Sequence, residues 1–71
     1  MAKYIELNAF LKVKGISSTG GQAKLLIRSG EVLVNGEVET RNRKKLNASD
    51  VVTVHGKKYI VPVEMLQMGE E

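Results

Sequence analysis

Hydrophobic residues recur with helical spacing near the start of the chain. The i, i+3, i+4 and i+7 positions of one helical face are Leu7, Phe10, Leu11 and Lys14. Gly15 follows this stretch, and glycine commonly stops a helix at such a position. The pattern predicts a first helix that ends near residue 14 and buries its apolar face.

A second helix is predicted for residues 19–29. Thr19 and Gln22 match a capping box, in which two side chains satisfy free backbone N–H groups at the helix start. Gly30 lies where a left-handed cap usually ends a helix. The apolar stripe of this helix is Ala23, Leu26 and Ile27, with Leu25 on its flank. Because the connection from the first helix is short, the two should form a tight helix–turn–helix unit.

Beyond the second helix the hydrophobic period changes from 3.6 to 2, which is the period of a strand. Asn35-Gly36 separates two alternating segments, and this dipeptide is the strongest short signal for a β-hairpin. Residues 51–54 and 59–61 are predicted as two further strands joined around His55-Gly56. Pro62 ends the last of them.

Two helices followed by about four short strands predict an α+β fold, with the helices packed on one face of a small antiparallel sheet. The 71 residues suffice for one domain. We predict a single domain over residues 1–71, with its core at about residues 5–61. Residues 62–71 form an acidic tail, for which a short helix and a loose segment are both open.

The charge of the chain is unevenly distributed. Its net charge is +3, but the last ten residues contain three glutamates and no base. Residues 1–61 therefore contain all 11 Lys and Arg, and such a basic body suits a polyanion such as nucleic acid. A merely solvated basic surface is the alternative. The absence of cysteine excludes disulfides and cysteine-based zinc sites.

The first candidate contact lies on the second helix. Gly21, Lys24 and Arg28 are spaced three and four residues apart, so they line one face away from the apolar stripe. Free N–H groups and the dipole at a helix start favour anions, and Gly20 and Gly21 would let a phosphate come close. The alternative is that the glycines only ease a turn and that the two bases are only solvated.

The second candidate contact is a dense basic run. Four bases occur in five residues: Arg41, Arg43, Lys44 and Lys45. If the segment is extended, Lys44 faces one side and the other three bases face the opposite side. Concentrated like charge is unfavourable unless a polyanion or acids offset it. Glu37 and Glu39 could supply local ion pairs, which is the alternative to a binding role.

No catalytic grouping is visible in the sequence. His55 is the single histidine and falls in a predicted hairpin turn, and the carboxylates show no pairing suited to acid–base chemistry. We therefore expect no enzyme activity, no cofactor, no metal and no small-molecule substrate. Aromatic residues are few, which favours recognition of RNA backbone and shape over stacking on unpaired bases. Without an apolar run of about 20 residues or a signal peptide, we expect a cytoplasmic protein and no membrane partner.

Several segments resemble the S4 RNA-binding domain. The similarity covers about residues 5–61 and is most specific between Ala23 and Gly36. The segments that resemble the domain are 7–12, 15–18, 22–36 and 50–54. Residues 20–24 together with 39–43 further resemble a group of short, stand-alone bacterial proteins of this class.

This resemblance implies two helices packed on a small, bent sheet, with RNA held across the second helix and adjoining loops. By position, the implied contacts are Gln22, Lys24, Arg28, Arg41, Arg43 and Lys44. The chain departs from many members in having Glu6 where they have Arg, and Gly20 where they have Arg or Lys. Both departures remove a phosphate contact, so we expect the main contact to shift toward Arg41 and Arg43.

The leading hypothesis is a non-enzymatic, monomeric protein that binds structured RNA, either ribosomal RNA or an assembling ribosomal particle. A protein-interaction adaptor, whose basic face binds an acidic partner protein, is the alternative. A role on DNA is a third possibility.

Overall fold

The computed structural model of the protein describes residues 4–68, which form three helices and six strands. The helices are α1 (Leu7–Val13), α2 (Gly20–Arg28) and α3 (Val63–Met68). The strands are β1 (Ile5–Glu6), β2 (Val32–Val34), β3 (Glu37–Val38), β4 (Lys45–Leu46), β5 (Val51–Val54) and β6 (Lys57–Ile60). The α+β prediction is confirmed.

Both predicted helices form, and their ends have the expected physical cause. At the start of α2, the side chain of Thr19 accepts a hydrogen bond from the backbone N–H of Gln22 at 3.1 Å. Gly15 and Gly30 follow α1 and α2 with φ of 75° and 85°. Only glycine adopts this left-handed conformation at little cost, which explains where the helices stop.

The main sheet has four antiparallel strands in the order β3-β2-β5-β6. The predicted hairpin joins β2 to β3 through Asn35 and Gly36, with φ of 53° and 87°. Positive φ at both central residues is what a tight two-residue hairpin turn requires. One face of the sheet packs inward on the helices, with Val32, Val34, Val52 and Val54 buried.

A second, two-stranded sheet was not predicted. Strand β1 pairs with β4 in antiparallel register, with Ile5 opposite Leu46 and Glu6 opposite Lys45. Two residues are too few to show a period in the sequence, so the pairing has no signature there. Its consequence is that the basic run, which ends in β4, is held against the start of α1.

The buried core reaches beyond the residues predicted for it. Phe10, Leu11 and Ile27 are fully buried between the helices and the sheet, and Leu66 of α3 is only 4% exposed. For residues 63–68 the helical alternative is therefore the observed one. Residues 69–71 lie outside the described part of the chain. Between residues 4 and 68 there is no helix with the length and hydropathy to cross a bilayer.

Candidate nucleic-acid interface

The first surface, here called the helix surface, consists of the exposed α2 residues Gly20, Gly21, Gln22, Lys24 and Arg28. Ala23 and Ile27 are fully buried, which turns Lys24 and Arg28 toward solvent. The helix contains no acidic residue. Within residues 4–68, neither Lys24 nor Arg28 forms an ion pair.

The start of α2 is open to an approaching group. A Cβ atom on Gly20 would meet nothing within 4 Å, and one on Gly21 would meet only Thr19 Oγ1 at 3.9 Å. Internal packing therefore does not require glycine at either position, and neither residue has a positive φ. What the two glycines provide is uncovered backbone at the positive end of the helix dipole.

Gln22 completes the cap in a slightly shifted form. Its Oε1 accepts hydrogen bonds from the backbone N–H of Ser18 at 2.8 Å and from Ser18 Oγ at 3.1 Å. In the usual capping box the glutamine would bond to the N–H of Thr19 itself. Because the carbonyl oxygen serves the cap, the Nε2 amide group is the part of Gln22 left for an external acceptor.

The second surface, here called the basic turn, consists of Arg41, Arg43, Lys44 and Lys45. The N–H of Lys44 donates to the carbonyl oxygen of Arg41 at 3.3 Å, which closes a turn over residues 41–44. The sidedness expected for an extended segment therefore does not apply. Instead, all four basic residues line one open depression.

The backbone of the basic turn is fixed by the start of α1. The N–H of Leu7 donates to the carbonyl oxygen of Lys44 at 2.8 Å, and that of Asn8 to the carbonyl oxygen of Asn42 at 3.1 Å. These are two of the free N–H groups that every helix start must satisfy. Glu6, at the cap position of α1, forms no side-chain cap, so the turn replaces the usual capping side chain.

Arg41 is held by Glu39, as the sequence allowed. Its Nε and Nη2 donate to the two carboxylate oxygens of Glu39 at 2.9 and 3.2 Å, and its backbone N–H donates at 3.0 Å. The Glu39 side chain is only 12% exposed, whereas that of Arg41 is 71% exposed. The hydrogen bonds from the Arg41 side chain hold the pKa of Glu39 below its usual value, so this carboxylate is charged at neutral pH.

Arg43 is held by Glu6, which the sequence did not predict. Its Nε lies 3.2 Å from both carboxylate oxygens and its Nη2 lies 3.1 Å from one of them. The hydrogen bond that the Arg43 guanidinium donates to the Glu6 carboxylate raises the pKa of Arg43. The two residues are 37 positions apart and are brought together by the β1–β4 pairing. No local sequence pattern could therefore predict the ion pair. The Glu6 side chain thus serves as the ion-pair partner of Arg43.

Lys45 also has an intramolecular partner. Its Nζ lies 4.9 Å from the centre of the Tyr4 ring, a distance that permits a cation–π interaction. Three of the four bases of the basic turn are therefore engaged within the protein. Lys44 is half-buried and lies near enough to Glu39 to help lower the pKa of that carboxylate.

The structure also shows where the single histidine lies. His55 lies in the β5–β6 turn with φ of 52° and contacts Glu31, so its prediction as a turn residue is confirmed. Residues 4–68 contain no cluster of three or more His, Asp or Glu side chains able to hold a metal ion.

Comparisons with known proteins support the same conclusion about the fold. The S4 domain family profile matches residues 1–62. The "Putative RNA-binding protein YbcJ" of Escherichia coli is 45% identical over 53 residues, which cover 75% of this chain and 76% of that protein. The "Probable ribosome maturation protein RlbA" of Bacillus subtilis is 42% identical over 52 residues, or 73% of each chain.

The solution structure of YbcJ from E. coli is similar to this structure. The TM-score is 0.66 at 40% identity, covering 87% of this chain and 78% of that one. The YbcJ structure is described as revealing an αL motif involved in RNA binding.

Proposed function

The chain belongs to the S4 domain family, and we propose that it binds structured RNA without catalysing a reaction, through phosphate contacts from its two basic surfaces. The observation that supports this best is the convergence of Arg41, Arg43, Lys44 and Lys45 on one open depression. Glu39 and Glu6 offset the charges of Arg41 and Arg43, and the remaining charge of +2 still favours a polyanion. The names of the relatives YbcJ and RlbA point in the same direction.

The helix surface supplies the simplest phosphate contacts. Lys24 and Arg28 have no acidic neighbour on their helix, so their charge is available to an incoming anion. A phosphate at the start of α2 would lie against the backbone N–H groups of Gly20 and Gly21, with the Nε2 group of Gln22 as a further donor. This arrangement recognises the RNA backbone rather than its sequence.

The name of the relative RlbA, "Probable ribosome maturation protein", supports a proposal about the kind of RNA. We propose that the target is ribosomal RNA, free or within an assembling ribosomal particle, and that one copy of the protein binds it. A-form RNA helices expose their phosphates and 2′-hydroxyls in a shape that a basic surface can recognise. Such a target needs neither a cofactor nor an aromatic stacking platform.

Binding can be tested by fluorescence anisotropy with a labelled hairpin RNA over a series of salt concentrations. If the four bases without a carboxylate partner (Lys24, Arg28, Lys44 and Lys45) neutralise phosphates, the logarithm of affinity should fall against the logarithm of salt with a slope of roughly −2.8 to −3.6. Duplex DNA of the same sequence, at the same salt, should bind more weakly. No binding of the hairpin at low salt would refute the proposal.

A second measurement separates RNA binding from an adaptor role. The tagged protein should recover ribosomal RNA from a bacterial lysate, and nuclease treatment should release the co-purifying proteins. Protein partners that remain bound after complete RNA digestion would favour the adaptor instead.

A further inference from the structure

The two paired arginines present the same free edge to solvent. In each guanidinium group, the edge formed by Nε and Nη2 is occupied by a carboxylate, Glu39 for Arg41 and Glu6 for Arg43. The other edge, formed by Nη1 and Nη2, retains unused N–H donors. Both side chains are more than 70% exposed, so this outer edge can meet a ligand in the depression.

The attached carboxylates change which ligand suits that edge. A phosphate bound to the outer edge would lie within a few ångströms of a second negative charge, and the repulsion would offset part of its attraction to the arginine. An uncharged ligand escapes that repulsion. The paired arginines therefore favour a neutral partner with two adjacent acceptor atoms over a further phosphate.

We propose that the Glu39–Arg41 and Glu6–Arg43 pairs form a base-recognition site that binds the O6/N7 edge of guanine. This inference rests on the proposed RNA binding and names the chemistry of one part of that surface. Among the base edges exposed in a major groove, only that of guanine offers two neighbouring acceptors. The edges of adenine and cytosine present a donor, and that of uracil presents a single acceptor.

The guanine must lie where RNA exposes this edge. The major groove of a continuous A-form helix is too deep and narrow for side chains, so the guanine belongs to a base pair that borders a loop, a bulge or a helix end. Pairing there occupies the Watson–Crick edge and leaves the O6/N7 edge accessible. The protein side is already fixed in place. The turn backbone is bonded to Leu7 and Asn8, and Glu39 bonds to both the backbone and the side chain of Arg41, so little ordering remains for the bound state.

The test uses the full chain and a pool of hairpin RNAs with one constant stem and a randomised loop. Bound molecules are separated at moderate salt and sequenced. The wild-type protein should enrich guanine at one or more loop positions. Enrichment of another base, or of none in a pool that nevertheless binds, would overturn the base-recognition site while leaving RNA binding intact. A pool that does not bind at low salt would instead refute the proposed function.

Two variants assign the preference to the pairs. Arg41→Lys keeps the charge but loses the planar donor edge, and it should reduce the enrichment of guanine. Glu39→Gln should raise affinity for the whole pool while lowering the preference, because it frees the Arg41 charge for phosphates. If Glu39 had only a structural role, Glu39→Gln would lower both the affinity for the pool and the guanine preference. That result would contradict the assignment of the preference to the Glu39–Arg41 pair.

The matched control is Arg28→Lys, the same substitution at an arginine without a carboxylate partner. It should keep the guanine preference, whatever its overall affinity. Loss of the preference in this variant, with retention in Arg41→Lys, would place base recognition on the helix surface and overturn the inference.

Atomic substitution in the RNA gives the sharpest result. In an enriched hairpin, 7-deazaguanine removes the N7 acceptor but keeps O6. It should weaken binding by roughly 2- to 12-fold, about half on the free-energy scale of the 5- to 150-fold range for a whole bidentate base contact. Inosine keeps both O6 and N7 and should bind like guanine. A hairpin that tolerates 7-deazaguanine but not inosine would show that another edge of the base is recognised, against the proposal.

Discussion

The helix surface and the basic turn have the same formal net charge but differ in how it is arranged. Helix α2 has two cations and no acid, which gives +2. The basic turn has four cations offset by Glu6 and Glu39, which also gives +2. Neither helix cation has an ion-pair partner among residues 4–68, whereas carboxylates orient both arginines of the turn. The two surfaces therefore have the same net charge but are suited to different ligands.

The difference suggests a division of roles. When unpaired cations bind phosphates, counterions are released from the RNA. The resulting affinity depends on salt and does not depend on the RNA sequence. In both ion pairs the arginine is more than 70% exposed, whereas the carboxylate is 12% exposed in Glu39 and 27% exposed in Glu6. Each largely covered carboxylate therefore fixes the direction of an exposed guanidinium group. We therefore expect the helix surface to dominate general affinity and the basic turn to dominate discrimination.

The largest effect on general affinity should come from Lys24→Gln combined with Arg28→Gln. Each lost phosphate contact lowers the salt slope by about 0.7 to 0.9, so the double variant should bind a fully paired RNA duplex roughly 25- to 60-fold more weakly at about 0.1 M salt. Anisotropy titrations at several salt concentrations measure both quantities.

The control for this double variant has the same change in net charge. Lys57→Gln with Lys58→Gln alters two exposed lysines of β6, which belong to neither surface. Its slope should stay close to that of the wild type. Equal losses in both double variants would mean that overall charge, and not the helix surface, determines the affinity.

Much of the fold could be predicted from the sequence, because its elements have local causes. The capping pair Thr19 and Gln22 and the Asn35-Gly36 turn act within a few residues, and both were located correctly. The pairing of β1 with β4 was missed, because two-residue strands have no detectable period. Burial of Leu66 was left open, since it depends on how α3 packs against the rest of the core.

The site residues could be nominated from the sequence, but their arrangement could not. The spacing of Lys24 and Arg28 was enough to place both on the exposed side of α2. For Arg43, the decisive fact is a partner 37 residues away, which depends on tertiary structure. From the sequence, the main phosphate contact was expected at Arg41 and Arg43. Because carboxylates lie beside both arginines, we propose Lys24 and Arg28 for that role instead.

A smaller effect is expected at the start of α2. Gly21→Ala should raise the free energy of unfolding by up to about 1 kcal/mol, because alanine favours a helix and the new Cβ meets only Thr19 Oγ1 at 3.9 Å. The same change should weaken RNA binding about two- to five-fold if a phosphate lies on the helix start, where such contacts contribute roughly 0.3 to 1 kcal/mol.

For the Gly21→Ala variant, urea unfolding should therefore show a higher free energy of unfolding, and RNA titration should show a lower affinity. A gain in stability with unchanged affinity would show that the glycine only shapes the turn, and that Lys24 and Arg28 bind RNA without help from the backbone.

The smallest effect on general affinity should come from removing one ion pair as a unit, with Glu39→Gln and Arg41→Gln together. Net charge is unchanged, and if the pair contacts no phosphate, affinity for a paired duplex should change less than about two-fold, with nearly the same salt slope. Arg41→Gln alone leaves the Glu39 carboxylate without its arginine and should weaken binding more than the double variant.

This pair of variants decides whether the two basic surfaces differ in kind. If the double variant loses as much salt dependence as the helix variant, Arg41 contacts phosphate in spite of Glu39, and the two surfaces act alike. If it keeps duplex binding but loses preference among hairpin loops, the carboxylate has converted a general phosphate contact into a selective one. The double variant and the wild type have the same net charge, so a charge difference could not account for that loss.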